Sequence, residues 1–460
     1  MQLQVSQIKY LVLYLVLFLF LYSCKEDDDA YISLNIIVAE DFAQLSQNRF
    51  VDINVFVNDL NIPSEGILTT SEASQGVAMV IDPNNTPGNP SDDLIRYEAN
   101  PNYTGEDSFT YTICNEEGTD CGTANVLISV SSSSTVAFNL SEMPYPKLSD
   151  YNFFEGDLAD QSPNFGVIPY KPISSLFSDY AEKKRFVWMP NNVIATYEGD
   201  HEPLGFPVGS ILIKAFYYND VLPQNERRNI ETRLMIRKET GWIFATYIWN
   251  DEQSEAFFDL SGETKEITWN LNGQTRNVSY RIPAESSCFT CHNTADVPIP
   301  IGLKPQNINS NYPYESGTQN QLEEFVRNGY LENTLPSNIT TVVDWEDTSE
   351  PLDIRMRSYV DINCAHCHSA ERYCNYRPLR FQFDLTEDDV NMGVCVDPDT
   401  AIPPYTKLVE PGNIDNSLVY FRLQTTLPQY RMPLLGRTLQ HEEHLELVEQ
   451  WIESLSNNCD

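Results

Sequence analysis

Apolar and polar residues alternate in short runs through the first part of the chain, from about Ala30 to Val130. Alternation with a period of two is typical of β-strands that bury one face, and clusters of Gly, Pro, Asn and Asp separate the runs as turns. The pattern predicts a β-sandwich over residues 30–131, followed by a linker without periodicity at 131–135. The apolar positions of the runs are Val51, Ile53, Val55 and Val57; Val77, Met79 and Ile81; Phe109, Tyr111 and Ile113; and Ala124, Val126, Ile128 and Val130.

The same alternation returns between residues 137 and 286 and predicts a second β-rich domain. Two hairpins can be located within it. Glu239-Thr240-Gly241 separates two alternating runs, and Asn272-Gly273 lies between two others. Asn-Gly is the strongest short-range signal for a two-residue hairpin turn, because both residues tolerate positive φ. Aromatic residues are dense in this region, and we interpret them mainly as core.

Beyond residue 286 the apolar residues are spaced as on one face of a helix. Helices are predicted at 316–329, where Gly329 would end the helix, and at 352–362. A last amphipathic helix carries Leu445, Val448, Trp451, Ile452 and Leu455 on one face. The chain of 460 residues is therefore predicted to be multidomain, with an N-terminal β-sandwich, a second β-rich domain over 137–286 and a mainly α region over 287–460.

The N-terminus has the pattern of an export signal. Lys9 precedes an apolar run from Tyr10 to Tyr22, which is short for a membrane span and is followed at once by an acidic segment. Leu21-Tyr22-Ser23-Cys24 resembles a bacterial lipobox, in which the cysteine is lipidated after cleavage. We expect a signal peptide over 1–23, a lipid anchor at Cys24 and an acidic tether over 24–29. The expected location is the cell envelope, as an outer-membrane lipoprotein that faces either the periplasm or the cell surface. An uncleaved membrane anchor is the alternative.

The charge balance restricts the partners. The chain has 29 basic and 66 acidic residues, a net charge of −37. Such a chain repels nucleic acids and anionic lipid surfaces and favours neutral or basic protein partners. The simplest role of the charge is to keep the protein soluble.

Several cysteines are candidates for disulfides, since an exported protein meets an oxidising compartment. Cys114 and Cys121 flank a turn-rich connection between two predicted strands and are expected to pair. In the C-terminal region we prefer a Cys374–Cys395 disulfide, and pairings with Cys459 stay open. If Cys24 is lipidated and four cysteines bind a cofactor, five remain, so one thiol is free or intermolecular.

The strongest chemical signal is a pair of Cys-x-x-Cys-His motifs, Cys288-Phe289-Thr290-Cys291-His292 and Cys364-Ala365-His366-Cys367-His368. Two thiols on one helical turn can each add to a vinyl group of haem, and the adjoining histidine then reaches the iron. The motifs therefore predict two covalent c-type haems, with His292 and His368 as axial ligands. Zinc binding and thioredoxin-like redox chemistry are the alternatives.

The segment around Tyr430-Arg431-Met432-Pro433, followed by the last helix, resembles the end of a class I cytochrome c domain. The resemblance implies that Met432 is the second axial ligand of the haem on His368. The corresponding segment after the first motif has Leu335-Pro336 instead. The iron held by His292 is thus expected to be five-coordinate, or ligated by Met356, His201 or another residue.

Two further resemblances concern larger parts of the chain. Residues 100–111 resemble the closing strands of bacterial cadherin-like, immunoglobulin-like repeats, which implies a spacer or docking module and, through Asn58 and Asp59, a calcium site. The region from about Pro144 to the end resembles a family of bacterial extracytoplasmic dihaem cytochromes, on the stretches 176–186, 205–209, 231–234 and 247–250 and on both haem motifs.

These resemblances imply electron transfer with a redox partner protein, a dehydrogenase or another cytochrome. A haem enzyme, such as a peroxidase or a subunit of an oxidoreductase, is the alternative if the first iron is open. A cell-surface interaction module is the third hypothesis, and it leaves the two motifs unexplained.

Overall fold

The fold is described from a computed structural model of residues 34–47, 49–101, 103–131, 134–191, 193–314, 317–456 and 459. The predicted signal peptide, Cys24 and the acidic tether lie outside the described residues. None of the helices in the described ranges is long and apolar enough to cross a membrane.

The N-terminal unit is a β-sandwich of two sheets. The first sheet has the strand order β1-β7-β6-β3, with β1 parallel to β7, and the second has the order β2-β5-β4. The strands are β1 Asp41–Ser46, β2 Phe50–Ile53, β3 Gly66–Thr70, β4 Gly76–Ile81, β5 Leu94–Ala99, β6 Gly105–Asn115 and β7 Cys121–Ser131.

The alternation of apolar residues predicted most of this core. Val51, Ile53 and Val55 are buried, as are the predicted inward positions Phe109, Tyr111 and Ile113 of β6 and Val126, Ile128 and Val130 of β7. Val57 lies in a turn after β2 and is exposed. Val77 and Met79 are also exposed, because the alternate residues of β4, Ala78 and Val80, are the ones that pack against the core.

Two buried acids, Asp41 and Asp59, lie at one end of this sandwich. The Asp59 carboxylate accepts hydrogen bonds from the Ala39 amide at 2.8 Å and from the Tyr111 hydroxyl at 2.6 Å. Asn58, the other predicted calcium ligand, donates its side-chain amide to the Glu40 carbonyl at 3.1 Å. The Asp41 Oδ2 has no hydrogen-bond partner within the described residues. Burial, reinforced by the charge of Asp59, raises the pKa of Asp41 to about 7.

We expect the stability of the sandwich to fall as the pH rises from about 4 to about 7. The unfolded Asp41 loses its proton near its ordinary pKa of about 3.9, whereas the folded one keeps it to about 7. Asp41→Asn should abolish this dependence and raise the melting temperature at pH 8 by about 4–8 °C, the shift that about 1 kcal/mol produces in a domain of this size. Thermal unfolding between pH 4 and pH 8, in EDTA, measures it. Glu72→Gln, at an exposed acid of the same unit, is the control, and an unchanged pH dependence in Asp41→Asn would contradict the prediction.

The second unit is built on an eight-stranded antiparallel sheet. Its main path runs β10-β11-β12-β13-β14-β15, and the hairpin β16-β17 joins at β12 through the pair Val221–Trp269. The strands are β10 Ile168–Pro169, β11 Glu182–Trp188, β12 Ile211–Val221, β13 Glu226–Lys238, β14 Gly241–Trp249, β15 Ala256–Phe258, β16 Glu263–Leu271 and β17 Gln274–Ile282, preceded by the short pair β8 Phe154–Glu155 and β9 Ser162–Pro163.

Both predicted hairpins are confirmed. The turn before Gly241 joins β13 to β14, and Asn272-Gly273 joins β16 to β17. Asn272 and Gly273 have φ of 50° and 80°, which is the backbone that a two-residue turn between twisted strands requires.

The two faces of this sheet have different neighbours. One face packs against the segment that precedes the sheet, with Tyr151 and Phe153 against Phe186 and Tyr247. The other face packs against the C-terminal region, where Leu212 and Met235 share a core cluster with Leu303, Ile308, Leu322 and Phe325. This second face also borders the functional site described below.

The C-terminal region is less helical than the sequence predicts, because long irregular segments join its short helices. The helices are α1 Glu285–Cys291, α2 Pro305–Ile308, α3 Gln321–Arg327, α4 Leu352–Val360, α5 Leu418–Gln424 and α6 Glu442–Ser454, and the short strands are β18 Asn293–Thr294, β19 Val297–Pro298, β20 Asn311–Tyr314 and β21 Gly317–Asn320.

The last helix is confirmed as α6, but the helix expected at 316–329 is shorter than predicted. The Asn320 side chain accepts hydrogen bonds from the amides of Leu322 and Glu323, which fixes the start of α3. Gly329, with φ of 65°, follows its end as predicted. The residues before Asn320 pair as a strand instead.

One buried arginine makes several of the contacts between the sandwich and the rest of the protein. The Arg49 guanidinium donates hydrogen bonds to the backbone carbonyls of Pro190, Asn328 and Gly329 and lies 4.9 Å from the centre of the Tyr330 ring. Only 4% of Arg49 is exposed. The five donors of one guanidinium thus connect the β1–β2 turn to two separate segments of the remaining chain.

Candidate cofactor sites

The first Cys-x-x-Cys-His motif lies on α1, which packs against β14 of the large sheet. Cys288, Cys291 and His292 line a cavity of about 190 Å³. The His292 Nδ1 donates to the Ile299 carbonyl at 3.0 Å, so Nε2 carries no proton in the neutral ring and is free to act as a ligand. Burial lowers the pKa of His292 to about 3, which keeps the ring neutral.

The second motif begins in a π-helical turn, Asp361–Ala365, that continues α4. Cys364, Cys367 and His368 line a second cavity of about 340 Å³. Burial lowers the pKa of His368 to about 4. Its Nδ1 is buried and has no hydrogen-bond partner in the described chain. His292 differs, because its ring is oriented by the hydrogen bond to Ile299.

The two cavities share a wall. Five residues border both of them: Cys291, Asn363, His366, Pro433 and Leu435. Within that wall the ligand atoms of Cys291, His366 and Cys367 all lie within 4.8 Å of one another. The Cys291 and Cys367 thiols lie side by side, and the contact with Cys367 lowers the pKa of Cys291 below its ordinary value. The fold thus brings together two motifs that are far apart in sequence.

Met432 borders the second cavity, together with Met356, Met392 and His444. Met356 and Met392 are packed into the surrounding hydrophobic core, at 1% and 2% exposure. Met432 lies outside that core cluster and is only partly buried. Its backbone is held by hydrogen bonds with the Arg422 carbonyl at 2.8 Å and the Arg437 guanidinium at 2.8 Å. Met432 is therefore the methionine of this cavity whose thioether is least committed to packing.

The first cavity has a different set of neighbours from those considered in the sequence. Met356 borders the second cavity, and His201 lies in a separate small pocket with its Nδ1 against Gln306. Met235 of β13 borders the first cavity, as does Lys214 of β12. Both residues precede the motif in sequence and come from another unit, so a search of the segment after the motif misses them.

His444 is a further residue that the sequence reasoning missed. Its ring stacks on Tyr359 with centres 3.3 Å apart, and its buried Nε2 has no hydrogen-bond partner among the described residues. The spacing of His441 and His444 on the last amphipathic helix was the available signal, because residues three apart share a helix face.

The disulfides differ from the expectation at one position. Cys114 and Cys121 pair, as predicted. Cys395 pairs with Cys459, so the preferred Cys374–Cys395 disulfide is wrong and one of the open alternatives holds. Cys374 donates its amide to the Cys367 carbonyl at 3.0 Å, which keeps it beside the second motif with a free, buried thiol.

Comparison with known proteins identifies part of the chain. Residues 33–129 match the family model of the bacterial Ig domain, so the N-terminal sandwich is Ig-like. No match was found among curated proteins.

Proposed function

We propose that the chain is an exported c-type cytochrome that carries two covalently attached haems and transfers electrons. The observation that carries the proposal is that each Cys-x-x-Cys-His motif borders its own cavity and that the cavities share a wall. A haem held in this way supplies an iron whose axial ligands and surroundings set its potential for one-electron transfer.

The donor sets fit the cofactor. Cys288, Cys291 and His292 would hold the first haem, and Cys364, Cys367 and His368 the second. All four thiols are free and both imidazoles are neutral, as covalent attachment and iron ligation require. The second cavity falls in the usual range for ligand sites of about 300–1,000 Å³, whereas the first is smaller and would have to widen.

Electron transfer is favoured by the contact between the two motifs. Since Cys291 and Cys367 lie side by side, the two motifs would hold their haems in adjacent cavities, and the protein between them would offer a short path for an electron. The partner would be a dehydrogenase or cytochrome, and the net charge of −37 favours a basic one. We place the protein in the cell envelope, anchored to the outer membrane by a lipid on Cys24.

A haem enzyme is the second candidate. It is favoured by the difference between the cavities, because six basic side chains border the first and two, Arg377 and Arg422, border the second. A high-spin first iron that binds carbon monoxide would support the enzyme, and two low-spin irons would support the carrier.

The proposal is tested by expressing the chain from Lys25 onward with a c-haem maturation system and measuring the haem-to-protein ratio and the absorption spectra. We expect two haems per chain, and one haem in either Cys288→Ala/Cys291→Ala or Cys364→Ala/Cys367→Ala. Cys374→Ala is the matched control, because its free thiol borders the second cavity but belongs to neither motif.

Absence of covalent haem from the wild-type chain would overturn the proposal. Bound zinc, lost on mutating Cys291 or Cys367, would then assign the cysteine and histidine cluster to a metal site instead.

A further inference from the structure

The first cavity has an unusual charge for this protein. Six basic side chains and one acidic side chain, that of Asp179, border it, although the net charge of the whole chain is −37. The Asp179 carboxylate is already used, since it accepts hydrogen bonds from the amides of Thr438 and Leu439 at 2.7 and 2.8 Å. The basic residues are Arg185, Lys214, Arg233, Arg281, Arg431 and Arg437.

Three of these cations form a row across the large sheet. Arg185 of β11 lies opposite Lys214 of β12, and Lys214 lies opposite Arg233 of β13. The row ends at Thr246 of β14, and all four residues border the cavity. Directly opposed residues have Cβ atoms about 4.5–5.5 Å apart, so like charges in these positions repel one another and destabilise the sheet.

Only one of the three cations has a carboxylate partner. Arg233 forms a bidentate pair with Glu231, with nitrogen–oxygen distances of 2.7 and 2.5 Å. Neither Arg185 nor Lys214 makes a side-chain ion pair in the part of the chain that the structure describes; Lys214 lies 5.0 Å from the centre of the Phe216 ring. The row therefore has two basic side chains without a carboxylate partner.

A second observation points to an anion in the same cavity. The Nε of Arg431 is buried, borders this cavity and lacks a hydrogen-bond partner within the described ranges. Burial, followed by the positive charge of Arg185, lowers the pKa of Lys214 well below its ordinary value. Buried cations are normally paired, because an unpaired charge in a low dielectric costs several kcal/mol.

We propose that the row Arg185–Lys214–Arg233 is an anion-binding site for carboxylate or oxyanion groups beside His292. The inference rests on the proposed function, because it places the site next to the first haem. Two sources have this chemistry: the two propionate groups of that haem, which equal in number the two basic side chains without a carboxylate partner, and a small external oxyanion such as nitrite.

The test compares Lys214→Met and Arg185→Met/Lys214→Met with the wild type, using the whole chain from Lys25 onward. Methionine keeps an unbranched side chain and removes the charge. Lys184→Met is the matched control, because Lys184 is the neighbour of Arg185 on β11 with its side chain on the other face, where it donates to the Asp160 carbonyl at 2.6 Å. Haem content is measured first, so that loss of the cofactor is separated from loss of the anion site.

If propionates occupy the row, the potential of the first haem falls in Lys214→Met, because the lost positive charge no longer favours the reduced iron. We expect a change of about tenfold in the reduction equilibrium, equivalent to ~59 mV for one electron. If an external anion occupies the row, calorimetry should show that nitrite binds the wild type. Nitrite should bind Lys214→Met at least about tenfold more weakly, and its affinity for the wild type should fall as the salt concentration increases.

Calorimetry with nitrite needs no haem, so binding of an external anion can be measured even in a chain that lacks the cofactor. The inference is overturned if the charge-removing variants match Lys184→Met in both haem potential and nitrite affinity while the haem content remains two. Absence of haem from every variant, the wild type included, would instead count against the proposed function.

Discussion

Replacing Glu231 with alanine is expected to lower the free energy of unfolding by about 3–5 kcal/mol. Glu231 is fully buried and holds two groups at once, the Arg233 guanidinium and the Tyr280 hydroxyl, the latter at 2.7 Å. The variant leaves a buried charge and a buried hydroxyl without their acceptor, and it frees a third cation in a row that already repels itself. Denaturant unfolding, followed by tryptophan fluorescence, measures the loss.

A surface pair between the same sheet and the last helix is the matched control. Arg276 and Glu442 are 2.7 Å apart, but the Glu442 side chain is 56% exposed. Glu442→Ala should cost only about 0–1 kcal/mol, because water already screens this pair. Equal losses in the two variants would show that Glu231 contributes no more than a surface carboxylate.

If the second motif holds a haem as proposed, replacing Met432 with alanine is expected to lower its reduction potential, by tenfold or more in the reduction equilibrium, or about 59 mV. Methionine paired with histidine raises the potential of a c-type haem, so its removal favours the oxidised iron. Redox titration of the purified chain, followed by absorption, measures the shift, and the spectrum records any change of spin state.

Met392→Leu is the control for this measurement, since Met392 borders the same cavity from within the packed core. It conserves volume and should leave the potential unchanged. A normal spectrum in Met432→Ala, together with a shifted one in His444→Ala, would assign the distal position to His444.

Local patterns predicted the local parts of this fold. The Asn272-Gly273 turn, the alternating strands of the sandwich and the last helix each depend on residues close together in sequence, and each is present. The Cys-x-x-Cys-His motifs are local in the same sense, and their six residues border the two cavities.

The surroundings of the motifs were not predictable in this way. Lys214 and Met235 reach the first cavity only because β12 and β13 lie side by side in the sheet on which α1 packs. The Cys395–Cys459 disulfide joins residues 64 apart, and nothing in the sequence ranked it above Cys374–Cys395. Strand order and long-range pairing depend on tertiary packing, which alternation alone does not encode.

The contact made by Arg49 has a consequence for where a partner could reach the two motifs. Because this side chain joins the Ig-like sandwich to the segments at Pro190 and Asn328, the sandwich would move together with the rest of the protein. With a lipid on Cys24, as proposed, the chain from that residue to Leu34 could span at most ~36 Å. The sandwich would then keep both motifs within a limited distance of the membrane, and a redox partner would have to reach them there.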